Sequence, residues 1–428
     1  MSEAPRRTFV NDVFWNAAMM AIALPASVAT SVLIGRILGP AGKGEYALAV
    51  LVGILLVTVL NLGIPASISY FVGGGETPQR SLIKTVVILA GILAAAALAI
   101  AGLLDRTGWC SYIFGIPRFT RTVWIVVLGL PFQFWGTFLQ YVILAQGDRV
   151  LFAALPVFGQ LIVTVLVVAF ALTGVLAPAT AACAAVASQI FGAAFLLIYV
   201  QRRVDWLRAP VLPSAFWKRL AKYSLTSYVA GTLQFLIQRI DVLLVSVLLG
   251  LRAVGLYSVA YGVAELLMLL PQRINSLYLP RIAGERAPHG KAEEVRLSSS
   301  LVFVGTVGAA AALALAAPFA IRFFYGRAYG PSVSPFLLLL PGICGMAASS
   351  IQSAYLSGVG MVHINAAVAA AGLALNVALN LLLIPRYGIS GAAVASSLTY
   401  WAQAIALIAA VSRLTHARPL AMLTSAPP

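Results

Sequence analysis

Three charged residues inside apolar stretches are the best candidates for chemistry in this sequence. Arg239, Asp241 and Glu265 each lie within an apolar run of roughly 20 residues, the length of a helix that crosses a bilayer. A charge at mid-membrane costs roughly 2.5 to 3.5 kcal/mol on insertion scales, so such a residue marks a functional site by default. The residue types and their surroundings therefore predict a charged site inside a helix bundle.

The depth of these residues follows from the short turn between their helices. Asp241 lies nine residues before Gly250, and Glu265 lies ten residues after Gly255, so both are about 14 to 15 Å below the turn. Residues two apart on a helix point in opposite directions, so Arg239 and Asp241 cannot both face Glu265. Either Asp241 meets Glu265 as a carboxylate pair that holds a proton, or Arg239 meets Glu265 as an ion pair. A third interpretation is that the three charges only lock the bundle.

The composition excludes a water-soluble globular protein. Of the 428 residues, 61% are hydrophobic and 9% are charged, whereas soluble domains have roughly 25% charged residues. Twelve apolar runs have the length of a membrane span. These runs are 13–37, 46–72, 82–104, 123–144, 151–172, 179–200, 224–249, 254–279, 301–323, 335–356, 364–384 and 389–411. We therefore predict an all-α integral membrane protein with twelve transmembrane helices.

A repeated pattern indicates that the chain is a duplication. Residues 38–49 read LGPAGKGEYALA and residues 249–260 read LGLRAVGLYSVA, at an offset of 211 residues. The offset grows slowly, to 214 between Gly174 and Gly388. We expect the shared glycine and tyrosine pattern to build the same external turn twice. Each copy has six spans, an even number, so both copies share one orientation, as in transporters with parallel repeats.

The predicted organisation is two six-helix lobes joined by a short connector. The N-terminal lobe covers residues 1–200 and the C-terminal lobe covers residues 223–428. Residues 201–222 mix basic and aromatic side chains, which suits the cytoplasmic surface beside anionic lipid. The net charge of +16 is mainly a positive-inside signal that places both termini in the cytoplasm, so we expect no nucleic-acid partner.

Four further residues are candidates for supporting roles. Arg36 is predicted near the outer membrane surface and Arg273 near the inner surface, where long cationic side chains snorkel to the headgroups. Either residue could guide an anion at the mouth of a cavity. Pro25 and Pro65 lie within predicted spans one and two, where a proline removes a backbone hydrogen bond and allows a hinge or a static bend.

No pattern in the chain predicts an enzyme. The three histidines are scattered, the three cysteines have no metal-like spacing, and no P-loop, HExxH or GxSxG pattern has the right surroundings. No loop reaches the size of an extramembrane catalytic domain. We therefore expect no catalytic residue, no metal site and no cofactor.

Several features together resemble a known transporter family. They are the paired LGxxxxGxY turns, the seventh span with Asp241, and the run NLLLIPRYGISGAA at residues 380–393. This set resembles the polysaccharide-exporter branch of the multidrug/oligosaccharidyl-lipid/polysaccharide (MOP) flippase superfamily, over essentially the whole chain. The resemblance implies two lobes around a central cavity lined by spans one, two, seven and eight. It also implies cationic cavity residues that bind a diphosphate, for which Arg239 is the best position and Arg36 and Arg273 are weaker ones.

The function implied by this resemblance is translocation of a polyprenyl-diphosphate-linked oligosaccharide across the bacterial cytoplasmic membrane by alternating access. Such a flippase serves cell-surface polysaccharide synthesis, including lipopolysaccharide, with membrane lipids and the glycosyltransferases and polymerase of the pathway as partners. Asp241 and Glu265 are then candidates for coupling to H⁺ or Na⁺. Two alternatives stay open: a cation-coupled drug antiporter of the related multidrug-extrusion family, and a membrane polysaccharide polymerase or ligase.

Overall fold

The protein is all-helical wherever the structure, a computed structural model, describes it. The described residues are 4–73, 78–269, 271 and 292–415, and they contain no β-strand. Arg273 lies outside them. The chain divides into two compact units, 1–228 and 229–428.

The first unit contains eight helices and the start of a ninth. They are α1 (Ala4–Leu60), α2 (Ile64–Gly73), α3 (Gln79–Thr107), α4 (Trp109–Phe114), α5 (Arg121–Leu128), α6 (Leu130–Ala145), α7 (Arg149–Leu172), α8 (Pro178–Arg203) and α9 (Ser214–Ile237). Helix α9 continues past Tyr228 into the second unit. The rest of that unit has α10 (Ile240–Leu249), α11 (Leu251–Glu265), a 3₁₀ turn (Leu266–Met268), α12 (Ala292–Tyr325), a second 3₁₀ segment (Arg327–Ser332), α13 (Val333–Gly358), α14 (Val362–Tyr387) and α15 (Ile389–Thr415).

The number of membrane spans agrees with the apolar runs. Within the described residues, ten helices are long and apolar enough to cross a bilayer, and a bent pair at 228–249 makes eleven. One of the ten, Met19–Leu60, has 42 residues. Its length of about 63 Å is twice a hydrocarbon core of about 30 Å. Its backbone leaves the helical region at Gly39, so its two sides are separate spans and the total reaches twelve. The predicted all-helical membrane architecture is confirmed.

The turn glycines of the two copies have the same backbone conformation. Gly39 has φ 66° and ψ −178°, and Gly250, 211 residues later, has φ 81° and ψ 179°. This backbone conformation is essentially restricted to glycine, because a Cβ atom would be strained there. Three more pairs of left-handed glycines recur along the chain: Gly115 with Gly326, Gly147 with Gly360, and Gly174 with Gly388. The repeated cassette therefore builds the same reversal of the chain in each unit.

Of the two prolines predicted to bend the helices of the first unit, one lies beside a break and the other does not. After α1 ends at Leu60, Asn61 closes a tight turn by accepting a hydrogen bond from the Gly63 backbone N–H at 2.8 Å. Helix α2 then starts at Ile64, so Pro65 lies in its first turn, where a missing N–H costs little. The bend predicted at Pro65 is present as a complete break of the helix just before it, at residues 61–63. Helix α1 continues through Pro25 without leaving helical geometry.

The connector is held by hydrogen bonds to the N-terminal part of α3. The Lys84 ammonium donates to the backbone oxygens of Leu207 and Ala209 at 2.9 and 2.8 Å. The Leu212 N–H donates to the Thr85 hydroxyl at 3.2 Å, and Trp206 is buried. These bonds satisfy backbone groups of a non-helical segment, so this part of the connector packs against α3 within the first unit.

Candidate functional site

The seventh span is broken at the level of the predicted charges. Segments Tyr228–Ile237 and Ile240–Leu249 bend by 42° relative to each other. The N–H groups of Gln238 and Arg239 bond three residues back, to Phe235 and Leu236, so the helix tightens before it breaks. Arg239 is the N-cap of α10. Broken helices occur in membranes where the backbone lines a polar site or is buried in protein.

Arg239 and Glu265 form an ion pair. The guanidinium Nη2 lies 3.1 Å from Glu265 Oε1, and the guanidinium carbon is 4.8 Å from the centre of the Tyr261 ring. Glu265 is the last residue of α11, where the chain tightens into the 3₁₀ turn at Leu266. Of the two arrangements that the sequence allows for Glu265, the structure has the ion pair.

The ion pair is not fully buried. The Arg239 side chain is 25% exposed and the Glu265 side chain is 41% exposed. A pair at a partly accessible position can exchange one partner for another ion, whereas a sealed pair is held by the cost of leaving a lone buried charge. The guanidinium also presents several N–H donors in a plane, which suits the oxygens of a phosphate.

Asp241 has a separate environment inside the second unit. It is fully buried, and its Oδ2 accepts hydrogen bonds from the Tyr257 hydroxyl at 2.6 Å and the Ser396 hydroxyl at 3.0 Å. Its Oδ1 accepts from the Val242 N–H at 2.7 Å, in the first turn of α10. Because these donors belong to α10, α11 and α15, the carboxylate links three helices. A change in its charge would therefore act on the packing of all three.

The partners of Asp241 were missed by the sequence reasoning. Tyr257 is the tyrosine of the repeated cassette, which the sequence analysis assigns to turn architecture. A depth argument would have found it, since Asp241 is nine residues before Gly250 and Tyr257 is seven residues after it. No signal in the sequence identifies Ser396, which comes from the last helix and meets Asp241 only through tertiary packing.

The other predicted residues belong to the first unit or lie outside the described residues. Arg36 lies in the first unit, exposed on α1. Arg273 lies outside the described residues. The hinge candidates Pro25 and Pro65 also belong to the first unit, on α1 and α2. Among the described residues, no group of three or more histidine, cysteine and acidic side chains could hold a metal ion.

The fold and the site together define a class. About a dozen apolar helices in duplicated halves, with an accessible ion pair at a broken span, make a multi-pass membrane protein with the architecture of a transporter. Residues 9–284 match the family described as "Polysaccharide biosynthesis protein", which is well over half of the chain. The chain belongs to this family. A search of the curated proteins gave no match.

Solved structures confirm the fold. A multidrug resistance MATE family transporter of the MOP superfamily, solved inward-facing, is similar with a TM-score of 0.78 and 16% identity over 96% of this chain and all of that one. The lipid II flippase MurJ gives a TM-score of 0.75 and 13% identity over 93% and 87% of the two chains. A MOP superfamily transporter from Pyrococcus furiosus gives 0.62 and 14% identity over 96% of each chain. The predicted MATE/MOP-like fold is confirmed, and the family match agrees with the predicted resemblance to polysaccharide exporters.

Proposed function

We propose that the protein is a flippase that moves a polyprenyl-diphosphate-linked oligosaccharide across the bacterial cytoplasmic membrane by alternating access, for synthesis of a cell-surface polysaccharide. Membership of a polysaccharide biosynthesis family and a fold shared with transporters support a flippase or transporter. The observation that carries the substrate assignment is the Arg239–Glu265 ion pair at the break in span seven.

The ion pair supplies a binding group for the diphosphate. A diphosphate offers several anionic oxygens, and a guanidinium binds such oxygens through two parallel N–H donors. The Glu265 carboxylate pairs with the Arg239 guanidinium when no substrate is present. The diphosphate competes with the Glu265 carboxylate for the Arg239 guanidinium. Arg36 and Arg273 are secondary positions in this proposal, as guides for the anion.

Asp241 is proposed to couple an ion to the movement of helices. Its carboxylate accepts hydrogen bonds from three helices, and each such bond to a charged group contributes more than a bond between neutral groups. Binding of H⁺ or Na⁺ at Asp241 would reduce the charge that holds these donors. The broken segments at residues 61–63 and 238–239 are the proposed places where the backbone bends, with Pro65 next to the first of them.

The proposal extends to the setting of the protein. We place both termini in the cytoplasm, and we propose the glycosyltransferases and the polymerase of the same polysaccharide pathway as partners. The family match and the similarity to the lipid II flippase MurJ support a lipid-linked substrate in a membrane.

The cellular test compares single arginine variants in a strain that depends on this protein. With Arg239→Ala, lipid-linked precursor should accumulate on the cytoplasmic face and surface polysaccharide should fall, at normal protein level. Arg252→Ala is the matched control, because Arg252 is an exposed arginine in the same helix pair. Normal surface polysaccharide in the Arg239→Ala strain would refute the proposed role of Arg239 in binding the diphosphate. Drug sensitivity of the deletion strain with normal polysaccharide would favour an antiporter instead.

A further inference from the structure

The first unit contains a large cavity that the site at Arg239 does not use. Its volume is about 900 Å³, within the range of ligand pockets, and it is lined by α1, α5, α6, α7 and α8. Most of its wall is apolar. The polar side chains in the wall include Thr30, Ser31, Lys43, Gln133, Gln140 and Gln189. No acidic side chain is among the residues that line this cavity, all of which the structure describes.

Lys43 gives the cavity a positive charge. The residue is only 6% exposed, and its ammonium donates to the Ser31 backbone oxygen at 3.1 Å and to the Ser31 hydroxyl at 2.8 Å. The reversal at Gly39 makes this contact possible, because it folds the second part of α1 back against the first. Hydrogen bonds lower the cost of a buried charge. The cavity wall therefore carries a held cation and favours an anionic ligand.

The remaining polar groups suit hydroxyls. The Gln160 amide lines the cavity and donates to the hydroxyls of Thr30 and Thr164, both at 3.3 Å. The Gln140 amide donates to the Phe152 oxygen at 3.1 Å. The buried Oε1 of Gln189 accepts no hydrogen bond from any described residue. Amide and hydroxyl side chains both donate and accept, and a buried acceptor without a donor calls for one from a ligand or from water.

We propose that this cavity binds a saccharide that carries a negative charge. Lys43 faces the carboxylate or phosphate of the sugar, and the glutamine amides face its hydroxyls. The assignment rests on the proposed function, because the saccharide is the head of the lipid-linked substrate. The lining charge disfavours a cationic ligand. The phosphate of a membrane lipid shares the anionic chemistry, so the experiment separates the two sources.

The test is direct binding to the purified full-length protein in nanodiscs of zwitterionic lipid. Calorimetry with D-glucuronate and with neutral D-glucose should show at least tenfold tighter binding of the charged sugar. Lys43→Met should weaken glucuronate binding about tenfold or more, the effect of losing a charge-assisted hydrogen bond. Gly136→Leu keeps Lys43 and fills the cavity, since a Cβ atom at Gly136 meets nothing within 4 Å. It should weaken both sugars, whereas Gly308→Leu, an exposed helical glycine of the other unit, should change neither.

Three results would overturn the proposal. The first is equal affinity for both sugars, and the second is glucuronate binding that Lys43→Met and Gly136→Leu leave intact. The third is loss of co-purified phosphatidylglycerol in Lys43→Met without any binding of free glucuronate, which would make the cavity a lipid site. Flipping is measured separately in vesicles. Failure of the wild-type protein to flip a lipid-linked oligosaccharide would refute the proposed function. The dependence of sugar binding on Lys43 tests only the proposal that the cavity binds a charged saccharide.

Discussion

Replacing Tyr257 by phenylalanine removes the hydroxyl that donates one of the three hydrogen bonds to Asp241. Both residues are fully buried, so water does not replace the lost donor at Oδ2. A hydrogen bond to a charged group contributes about 1.5 to 3 kcal/mol. We therefore expect Tyr257→Phe to lower the stability of the second unit by about this amount.

The same unit offers a matched control in Tyr400. This tyrosine is also fully buried, but its hydroxyl has no hydrogen-bond partner among the described residues. Burying an unpaired hydroxyl is unfavourable by about 1 to 3 kcal/mol in protein mutational data. Tyr400→Phe should therefore be neutral or stabilising, although it removes the same oxygen from the same kind of environment.

The assay is thermal denaturation of the purified protein, followed as the monodisperse fraction at one fixed heating rate. For a unit of about 200 residues, a loss of 1.5 to 3 kcal/mol lowers the Tm by about 3 to 12 °C. Equal Tm values for Tyr257→Phe and Tyr400→Phe would refute the reasoning, because the hydrogen bond to Asp241 would then contribute nothing. A Tyr400→Phe variant that loses more stability than Tyr257→Phe would refute it as well.

Two further predictions concern glycines. Gly250→Ala should destabilise the protein by about 1 to 3 kcal/mol through backbone strain alone, since the new Cβ atom would meet nothing within 4 Å. Gly308→Ala, at an open helical position, should stabilise the protein slightly. Similar Tm shifts for the two variants would contradict this prediction. Gly342→Ala should destabilise more strongly, because the new Cβ atom would lie 2.5 Å from the Ser397 Cα and force α13 away from α15. Gly102→Ala, with open space around it, should retain expression and monodispersity, and equal behaviour of these two variants would show that the close helix contact is absent.

Much of the fold could be predicted because each membrane span requires an apolar run of about 20 residues, which is visible in the sequence. The lengths of the apolar runs predict twelve spans, and the slow drift of the repeat offset agrees with the glycine pairs 39/250, 115/326 and 174/388. The break in span seven could not be predicted, since the residues at the break, Gln238 and Arg239, are neither proline nor glycine. The structure places the Arg239–Glu265 ion pair at this break.

The candidate site was only partly predictable. Helical geometry placed Asp241 and Glu265 at one depth and restricted Glu265 to a single partner, but it could not choose between the ion pair and the carboxylate pair. The burial of Lys43 was missed because the residue was assigned to the external turn. Its spacing to Tyr46, Val50 and Ile54 follows one helical face, and all four line the cavity of the first unit. That periodicity was available in the sequence.

The role of Arg239 is tested most directly by flipping in reconstituted vesicles. The substrate is a fluorescent short-chain polyprenyl-diphosphate sugar, and the readout is its rate of transfer between leaflets. Arg239→Ala should slow transfer about tenfold or more at subsaturating substrate, because the charge-assisted contact to the diphosphate is lost. Glu265→Gln, which keeps the arginine and removes its competitor, should retain transfer. Unchanged transfer by Arg239→Ala, with the wild-type protein active, would contradict the assignment of the ion pair as the diphosphate site.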